Sequence, residues 1–311
     1  MASVDGEAMT MQNIEESADD SSVAAVARRV ELSEAHAYEQ LIGGAAPELV
    51  ERYGLACQRV GPAVALVAPG FSTSLILNRV IGLGVGETVT PDVLEAIDRL
   101  YAAAQASTYA LEVSPAIEPA NLATTLKDRG FFAFKQTAML HRRVEPIAAP
   151  ACAYRITRAQ PEQAPIFADL CVTVFGMDEP IRSLLTASFS GAHSLHWQHW
   201  LAWDGDLAVG AAITHLAGGV AWIGWVGTLA SHRGRGVQSA ITAAQLQAAH
   251  DSGCRWVTLE TATGTVKRPN PSFRNYCRLG WAVAHHRLVF VHRGPADPGS
   301  EMAGRRSKPL E

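Results

Sequence analysis

The sequence lacks any hydrophobic run long enough to cross a membrane, and its N-terminus lacks the basic and apolar regions of a signal peptide. It also lacks a strong charge of either sign, because 26 basic and 30 acidic residues leave a formal net charge of -4. This balance gives no general attraction to nucleic acid or to an anionic membrane surface. These absences predict a cytoplasmic protein whose basic patches are local. Separately, we expect a monomer or homodimer.

The sequence also has no pattern that is typical of a metal site. Its five cysteines are an odd number without a CxxC pair, which indicates free or buried thiols. His193, His196 and His199 are spaced by three residues in HSLHWQHW, which would suit one helix face. Alternation with Trp197 and Leu201 and a following DGD turn predict a strand and hairpin instead. Strand residues three apart point to opposite faces, so we predict no bound metal.

The length and composition allow two folded units between flexible ends. The chain has 311 residues, of which 48% are hydrophobic. Residues 1 to about 30 and residues 294–311 have the composition of disordered tails. Between them, strand-like and helix-like segments alternate, which predicts the α/β (α+β) class.

The region between the tails contains an internal repeat. Each half has a strand with Leu-Glu near its end, a loop with prolines, a short helix, a Gly-aromatic pair and a long strand with His-Arg near its end. The matching pairs are Leu111-Glu112 with Leu259-Glu260, 148 residues apart, and Gly130-Phe131 with Gly280-Trp281, 150 residues apart. Two copies of one fold are implied, which we place at residues 31–145 and 153–293.

The stretch SHRGRGVQSA, residues 231–240, lies between a strand-like segment and a helical pattern. Unpaired N–H groups at a helix N-terminus and the helix dipole together attract anions. Gly234 and Gly236 would let an anion approach these amides, and Arg233 and Arg235 would add positive charge. The stretch suits a pyrophosphate, and its alternative interpretation is a solvated basic turn.

Two motifs of the second half resemble those of the GNAT superfamily of acetyl-CoA-dependent N-acetyltransferases. Motif A of that family, Arg/Gln-x-x-Gly-x-Gly/Ala, follows a bulged strand; Arg233 and Gly236 match it, while Gln238 replaces the usual last Gly or Ala. The stretch NPSFRNYCRLGW resembles a later GNAT signature, in which Asn270 would begin a helix. Tyr276 then lies four residues before the Gly-aromatic pair. The resemblance covers the second half of the chain.

This resemblance implies acetyl-CoA as the cofactor and a primary amine of a small molecule or peptide as the acceptor. It assigns Tyr276 as the acid that protonates the departing thiolate; a core tyrosine is the alternative. The residues that it assigns to acetyl-CoA are Val226, Gly227 and Thr228 at the pantetheine arm, Arg233, Gly234, Arg235, Gly236, Val237, Gln238 and Ser239 at the pyrophosphate, and Asn270.

The resemblance does not assign a general base, because the strand VAWIGWVGT contains neither Glu nor His. Glu260 is a candidate that would act directly or through water, and a carboxylate capping nearby backbone is the alternative. Asp178 and Glu179 follow the first helix of the second half, which in GNAT proteins borders the acceptor cleft. We expect them to bind the amine, with a solvated helix cap as the alternative.

The first half has IGLGVGE in the place of motif A, without a leading Arg or Gln. A lone glycine run is weak evidence for a dinucleotide site because no acidic ribose contact accompanies it. Thr90 and Pro91 are expected to begin the following helix. We therefore predict two tandem GNAT-like domains, each a mixed, mostly antiparallel sheet flanked by helices, with a degenerate first copy. A non-catalytic acyl-CoA sensor or interaction protein is the alternative function.

Overall fold

The computed structural model describes residues 21–71, 74–115, 121–148, 152–177, 179–191, 196–265, 268 and 270–293. The helices are α1 (Val23–Gly43), α2 (Pro47–Tyr53), α3 (Pro91–Ala103), α4 (Leu122–Asp128), α5 (Ala164–Phe175), α6 (Glu179–Gly191), α7 (Val237–Asp251) and α8 (Pro271–Arg278). The strands are β1 (Ala56–Val60), β2 (Ala63–Val67), β3 (Arg79–Leu83), β4 (Thr108–Val113), β5 (Phe132–Arg143), β6 (Arg155–Arg158), β7 (Trp197–Asp204), β8 (Leu207–Ala217), β9 (Val220–Thr228), β10 (Trp256–Ala262) and β11 (Ala282–Arg293).

These strands form one continuous sheet in the order β1-β2-β3-β4-β11-β5-β10-β9-β8-β7-β6. The pairs β3–β4 and β9–β10 are parallel, and the other neighbours are antiparallel. The last strand of each half lies in the other half of the sheet, because β11 pairs with β4 and β5 pairs with β10. The two halves therefore complete each other's sheet by exchanging strands.

The pairing of β5 with β11 relates the two halves by a pseudo-two-fold axis. Arg287 pairs with Thr137, which is its own counterpart 150 residues earlier. Two outer pairs have the same symmetry: Ala282 with His141, and Phe132 with Val291. The axis therefore passes through the sheet beside Arg287.

Helices cover both faces of the sheet. Helices α1, α2, α5 and α6 pack on one face in a single hydrophobic cluster. On the other face, α3 and α4 cover the N-terminal half, and α7 and α8 cover the C-terminal half. This architecture confirms the predicted fold class of mixed, mostly antiparallel sheets flanked by helices. Within the described residues, no helix is both long enough and apolar enough to span a membrane.

Helix α1 begins at Val23, inside the segment that composition predicts to be a disordered tail. Ser22 caps the helix, since its Oγ accepts a hydrogen bond of 3.2 Å from the Ala25 amide. Within this segment, Val30 and the charged Arg29 are buried, and the Arg29 guanidinium lies 4.0 Å from the centroid of the Trp256 ring. The composition rule fails for residues 23–30 because the helix packs its side chains inside the protein. Residues 1–20 and 294–311 lie outside the described part, and the boundaries of the two domains stay a prediction.

Candidate functional site

The parallel strands β9 and β10 separate halfway along their length. Their pairing ends at Ile223 with Leu259, although β9 continues to Thr228. The register of β9 against β8 shifts in this part, and Trp225 has a φ of 54°. This is the bulge that the resemblance to GNAT proteins implies. The opening between the strands exposes backbone groups of β9 that have no partner on β10.

The loop after β9 leaves the N-terminus of α7 open. Gly234 and Gly236 have φ values of 74° and 84°, a left-handed backbone that favours glycine. Gly236 is the N-cap residue of α7 and offers no side chain to the first amides. Within the described chain, no group accepts a hydrogen bond from the amides of residues 234–239. This row of donors at the positive end of a 15-residue helix suits a phosphate.

The two arginines of the loop have different surroundings. The Nε of Arg233 donates a hydrogen bond of 3.2 Å to the Thr228 carbonyl, which ties the loop to the end of β9. Arg235 is exposed and has no hydrogen-bond or ion-pair partner among the described residues. Arg233 therefore shapes the loop, and Arg235 is available to a ligand.

Gln238 joins the first turn of α7 to α8. Its Nε2 donates a hydrogen bond of 2.6 Å to Ser272 Oγ, and its Oε1 accepts one of 3.1 Å from Asn275 Nδ2. The neighbouring Ser239 Oγ donates to Asn275 Oδ1 at 3.1 Å. The glutamine at the position where motif A usually has Gly or Ala thus connects two helices. The backbone amide of Gln238 still belongs to the row of free amides at the N-terminus of α7.

Asn270 begins helix α8, as the signature implies. Its Oδ1 accepts a hydrogen bond of 2.8 Å from the Ser272 amide, which makes it the N-cap residue. This capping bond accounts for an Asn at that place. The contact of Asn270 with acetyl-CoA stays a prediction.

Tyr276 is buried, with 1% of its surface exposed, and its ring packs edge-on against Trp281 at 5.3 Å between centroids. Its phenol oxygen has no hydrogen-bond partner among the described residues. Burial raises the pKa of Tyr276 to about 12. The side chains of Gln238 and Thr242 lie close enough to lower this pKa, but neither has hydrogen-bond geometry to the phenol oxygen. An unpartnered buried hydroxyl costs about 1–3 kcal/mol, so packing alone does not explain the tyrosine.

The N-terminal half provides the counterpart of this position. Leu126 lies five residues before Phe131, as Tyr276 lies five residues before Trp281. In both halves the amide of the aromatic residue donates a hydrogen bond to the carbonyl of the earlier residue, at 2.9 Å for Phe131 to Leu126 and 3.1 Å for Trp281 to Tyr276. Leu126 is completely buried, like Tyr276. The fold therefore needs a large buried side chain here but no hydroxyl.

Glu260 lies at the apex of the opening, as the first residue of β10 beyond its pairing with β9. Leu259 packs with Tyr276, so Glu260 points to the opposite face of the sheet, towards α1. Arg287 Nη2 donates a hydrogen bond of 2.8 Å to Glu260 Oε2, and Arg79 Nη1 lies 3.6 Å from the same oxygen. Burial would raise the pKa of Glu260, but the two arginines outweigh it and lower the pKa to about 2. A carboxylate with this pKa is a weak base.

Sequence reasoning missed the environment of Glu260. Seven side chains form what we call the central charge cluster: Glu31 and Glu34 of α1, Arg79 of β3, Glu112 of β4, Glu260 of β10, and His285 and Arg287 of β11. It lies beside the pseudo-two-fold axis. The one signal in the sequence is the repeated Leu-Glu pair, which places an acidic residue from each half at this point.

The remaining predicted residues are only partly described. Asp178 lies outside the described residues, and Glu179 begins α6 while its side chain is also outside them, so their contact with the amine stays a prediction. His193 is likewise outside. The predicted strand and hairpin are confirmed, since His199 lies in β7 and its ring packs 3.8 Å from that of Phe189. In the described part of the chain, no group of His, Cys, Asp or Glu side chains is arranged to hold a metal ion.

Comparison with known proteins connects this geometry to one fold. No family model and no curated protein matches the sequence. The structure is similar to a GCN5-related N-acetyltransferase from Kribbella flavida, with a TM-score of 0.58 and 19% identity over 86% of this chain and 96% of that one. It is also similar to a GCN5-related N-acetyltransferase from Sphaerobacter thermophilus, with a TM-score of 0.54 and 18% identity over 75% and 82% of the two chains.

A third similar structure is a tandem GNAT protein from the clavulanic acid biosynthesis pathway. The TM-score is 0.51 and the identity 15%, over 70% of this chain and 76% of that one. The chain therefore has the tandem GNAT fold that its repeat and motifs predicted. At these identities the likeness establishes the fold, and the activity has to be argued from the site.

Proposed function

We propose that the protein is an acetyl-CoA-dependent N-acetyltransferase that transfers an acetyl group to a primary amine of a small molecule or peptide. The observation that carries this proposal is the open, glycine-lined N-terminus of α7 next to the opening between β9 and β10. The proposal places the enzyme in the cytoplasm, as a monomer or homodimer.

The residues of the loop fit a coenzyme A pyrophosphate. A Cβ atom at Gly234 would meet nothing within 4 Å, and one at Gly236 would meet only Cys152 Cβ, at 3.8 Å. The space on the Cβ side of these two glycines is therefore open among the described residues. Arg235 would add charge at the rim, and residues 226–228 would follow the pantetheine arm. Acetyl-CoA would supply the activated acetyl thioester.

Tyr276 is the proposed acid. Its pKa of about 12 keeps the phenol protonated at neutral pH, so the hydroxyl has a proton to donate. The hydroxyl has no acceptor among the described residues, which leaves its proton available to the departing sulfur. Glu260 remains the proposed base. Because its pKa is low, neighbouring groups have to increase its affinity for a proton before it can act as one.

A non-catalytic acyl-CoA sensor is the second candidate. The ion pairs that hold Glu260 ionised favour it, because they lower the basicity of the carboxylate that lies at the apex of the opening in the described chain. A sensor would bind acetyl-CoA and release no coenzyme A.

Calorimetric titration with coenzyme A and acetyl-CoA tests the binding site. We expect the native protein to bind both ligands, and the double variant Arg233→Glu, Gly236→Glu to lose binding. Arg99→Glu is the control, because Arg99 is 71% exposed on α3 and its reversal makes the same charge change in the N-terminal half as Arg233→Glu makes in the loop. Absence of binding, or equal binding by the double variant, would refute the proposed function.

A thiol-release assay separates the enzyme from the sensor. The native protein is incubated with acetyl-CoA and a panel of primary amines that includes amino acids, polyamines, aminoglycosides and short peptides with free N-termini. We expect amine-dependent release of coenzyme A with at least one amine. Binding without release above background would favour the sensor.

A further inference from the structure

The central charge cluster contains more negative than positive groups. Among the described residues, its four carboxyls pair with two guanidinium groups and the His285 imidazole, while Lys135, a further cation near Glu260, is exposed to solvent on β5. The side chains of Glu31, Glu34 and Glu112 are only 1–2% exposed. An unpaired charge in such surroundings is costly, so the cluster has a strong physical reason to retain a proton.

Glu34 shares both of its arginine partners with other carboxyls of the cluster. Glu34 lies 3.1 Å from Arg79 and 2.9 Å from Arg287, but both arginines also serve other carboxyls. Arg79 contacts Glu112 at 2.5 Å, and the second nitrogen of Arg287 contacts Glu260 at 2.8 Å. Burial raises the pKa of Glu34 to about 8; Arg287 opposes this rise and the charge of Glu260 adds to it. Glu34 and Glu260 contact the two terminal nitrogens of one guanidinium group, since Arg287 Nη1 lies 2.9 Å from Glu34 and Arg287 Nη2 lies 2.8 Å from Glu260.

We propose that Glu34 shares a proton with Glu260 and thereby sets the basicity of Glu260 towards the acceptor amine. Glu34 is a positioning residue in this scheme, because it acts through Glu260. The inference rests on the proposed function. It adds an N-terminal helix to the machinery of the C-terminal half.

Only one member of the pair is accessible to solvent. The side chain of Glu260 is 19% exposed, against 1% for Glu34. As the amine nitrogen bonds to the acetyl carbon, its proton passes to the Glu260 carboxylate. The carbon–sulfur bond breaks, the sulfur takes the Tyr276 proton, and water returns a proton from the carboxyl pair to the tyrosinate. When Glu34 is ionised, two adjacent negative charges make Glu260 bind this proton more tightly.

Other charges around the pair set the pH at which it titrates. The groups that face it are Glu31 and Tyr38 of α1, Arg79 of β3, Glu112 of β4, Lys135 of β5, and His285 and Arg287 of β11. The carboxylates surround Arg79 and Arg287 and raise the pKa values of both guanidinium groups, so both stay charged. Glu112 is the useful control, because its negative charge raises the pKa of Glu34.

Infrared difference spectroscopy across a pH titration tests the shared proton without an activity assay. We expect the native protein to have a carbonyl band of a neutral buried carboxylic acid that disappears as the pH rises through about 8. Glu34→Gln should lack this band, whereas Glu112→Gln should keep it and lose it at a lower pH. A native protein without the band, or a band that persists in Glu34→Gln, would overturn the proposal.

The pH profile of kcat/KM tests the role in catalysis, with the panel amine that gives the fastest turnover. In the native protein we expect kcat/KM to rise as the pH passes about 8. In Glu34→Gln this rise should be absent, so that kcat/KM above pH 8 is about tenfold lower than in the native protein, while the affinity for acetyl-CoA is unchanged. Glu112→Gln should shift the rise in parallel with its infrared band. The measurement is repeated with a second amine of different pKa. A rise in kcat/KM that moves with the pKa of the amine belongs to the substrate and not to the protein.

The outcomes separate the two proposals. If acetyl-CoA does not bind, the proposed function and the catalytic role fail together, whereas the infrared titration still decides whether Glu34 holds a proton. If the native protein turns over and Glu34→Gln has the native pH profile, the role of the pair as a base is overturned while the proposed function stands.

Discussion

The two halves contain the same strand–loop–helix junction with opposite chemistry. At the β3–α3 junction, Thr90 Oγ1 accepts a hydrogen bond of 3.4 Å from the Val93 amide and caps the helix. The Arg28 side chain of α1 also lies directly against Gly86 in this loop. At the β9–α7 junction, Gly236 leaves the first amides of α7 uncapped.

The comparison teaches that a glycine run does not make an anion site by itself. Both loops contain glycines in the left-handed conformation, among them Gly84 and Gly86 in the first half. The difference is that the chain itself occupies the helix N-terminus in one half and leaves it open in the other. Substitutions at three places test this difference between the halves: the proposed acid Tyr276, the Gln238 bridge between α7 and α8, and the Thr90 cap of α3.

Replacement of Tyr276 should have the largest effect. Tyr276→Phe removes only the hydroxyl, and Tyr276→Leu copies the residue of the N-terminal half. We expect both variants to lose about 100-fold in turnover, because a positioned general acid contributes about 10²–10⁴-fold. Acetyl-CoA affinity should remain within a factor of about three, since the hydroxyl is not at the pyrophosphate loop. Steady-state kinetics with calorimetry measures both quantities.

Tyr53→Phe is the control for this prediction, because it deletes a phenol oxygen from α2 of the N-terminal half and should leave turnover unchanged. Native turnover in Tyr276→Phe would remove the acid assignment. Since Phe lacks the unpartnered hydroxyl, we also expect Tyr276→Phe to be at least as stable as the native protein in urea.

Removal of the bridge between α7 and α8 should have the next largest effect. Gln238→Ala deletes the bonds to Ser272 and Asn275, which at about 0.5–1.5 kcal/mol each amounts to about 1–3 kcal/mol of unfolding free energy. Urea denaturation measures the loss. Gln247→Ala, on the exposed side of the same helix, is the control and should cost less. Equal losses for the two variants would mean that the bridge does not stabilise the C-terminal half.

The repeat and the glycine loop could be predicted from the sequence because both depend on local patterns. Thr90 and Asn270 cap their helices where a short polar residue precedes a helical segment with Pro at its start. Gly234 and Gly236 have the backbone that their position requires. In each case the interacting groups are a few residues apart, so the pattern contains the interaction.

The exchange of strands and the central charge cluster could not be predicted in this way. The pairing of β11 with β4 and the contact of Arg287 with Glu31 join residues more than 170 positions apart. Nothing in the local pattern of HHRLVF indicates that its arginine is buried, since arginine is most often exposed. The buried pairing becomes evident only when the repeated Leu-Glu residues are placed on one sheet.

Removal of the cap at α3 should have the smallest effect and gives the sharpest test of the comparison. Thr90→Ala deletes the bond to Val93 and should cost about 1 kcal/mol of stability, as measured by urea denaturation. In the Arg233→Glu, Gly236→Glu background, which removes the proposed C-terminal site, Thr90→Ala should not create acetyl-CoA binding. The reason is that Arg28 still covers the loop at Gly86. If binding appears in calorimetry, the threonine cap alone separates the two halves, and Arg28 has no part in closing the first one.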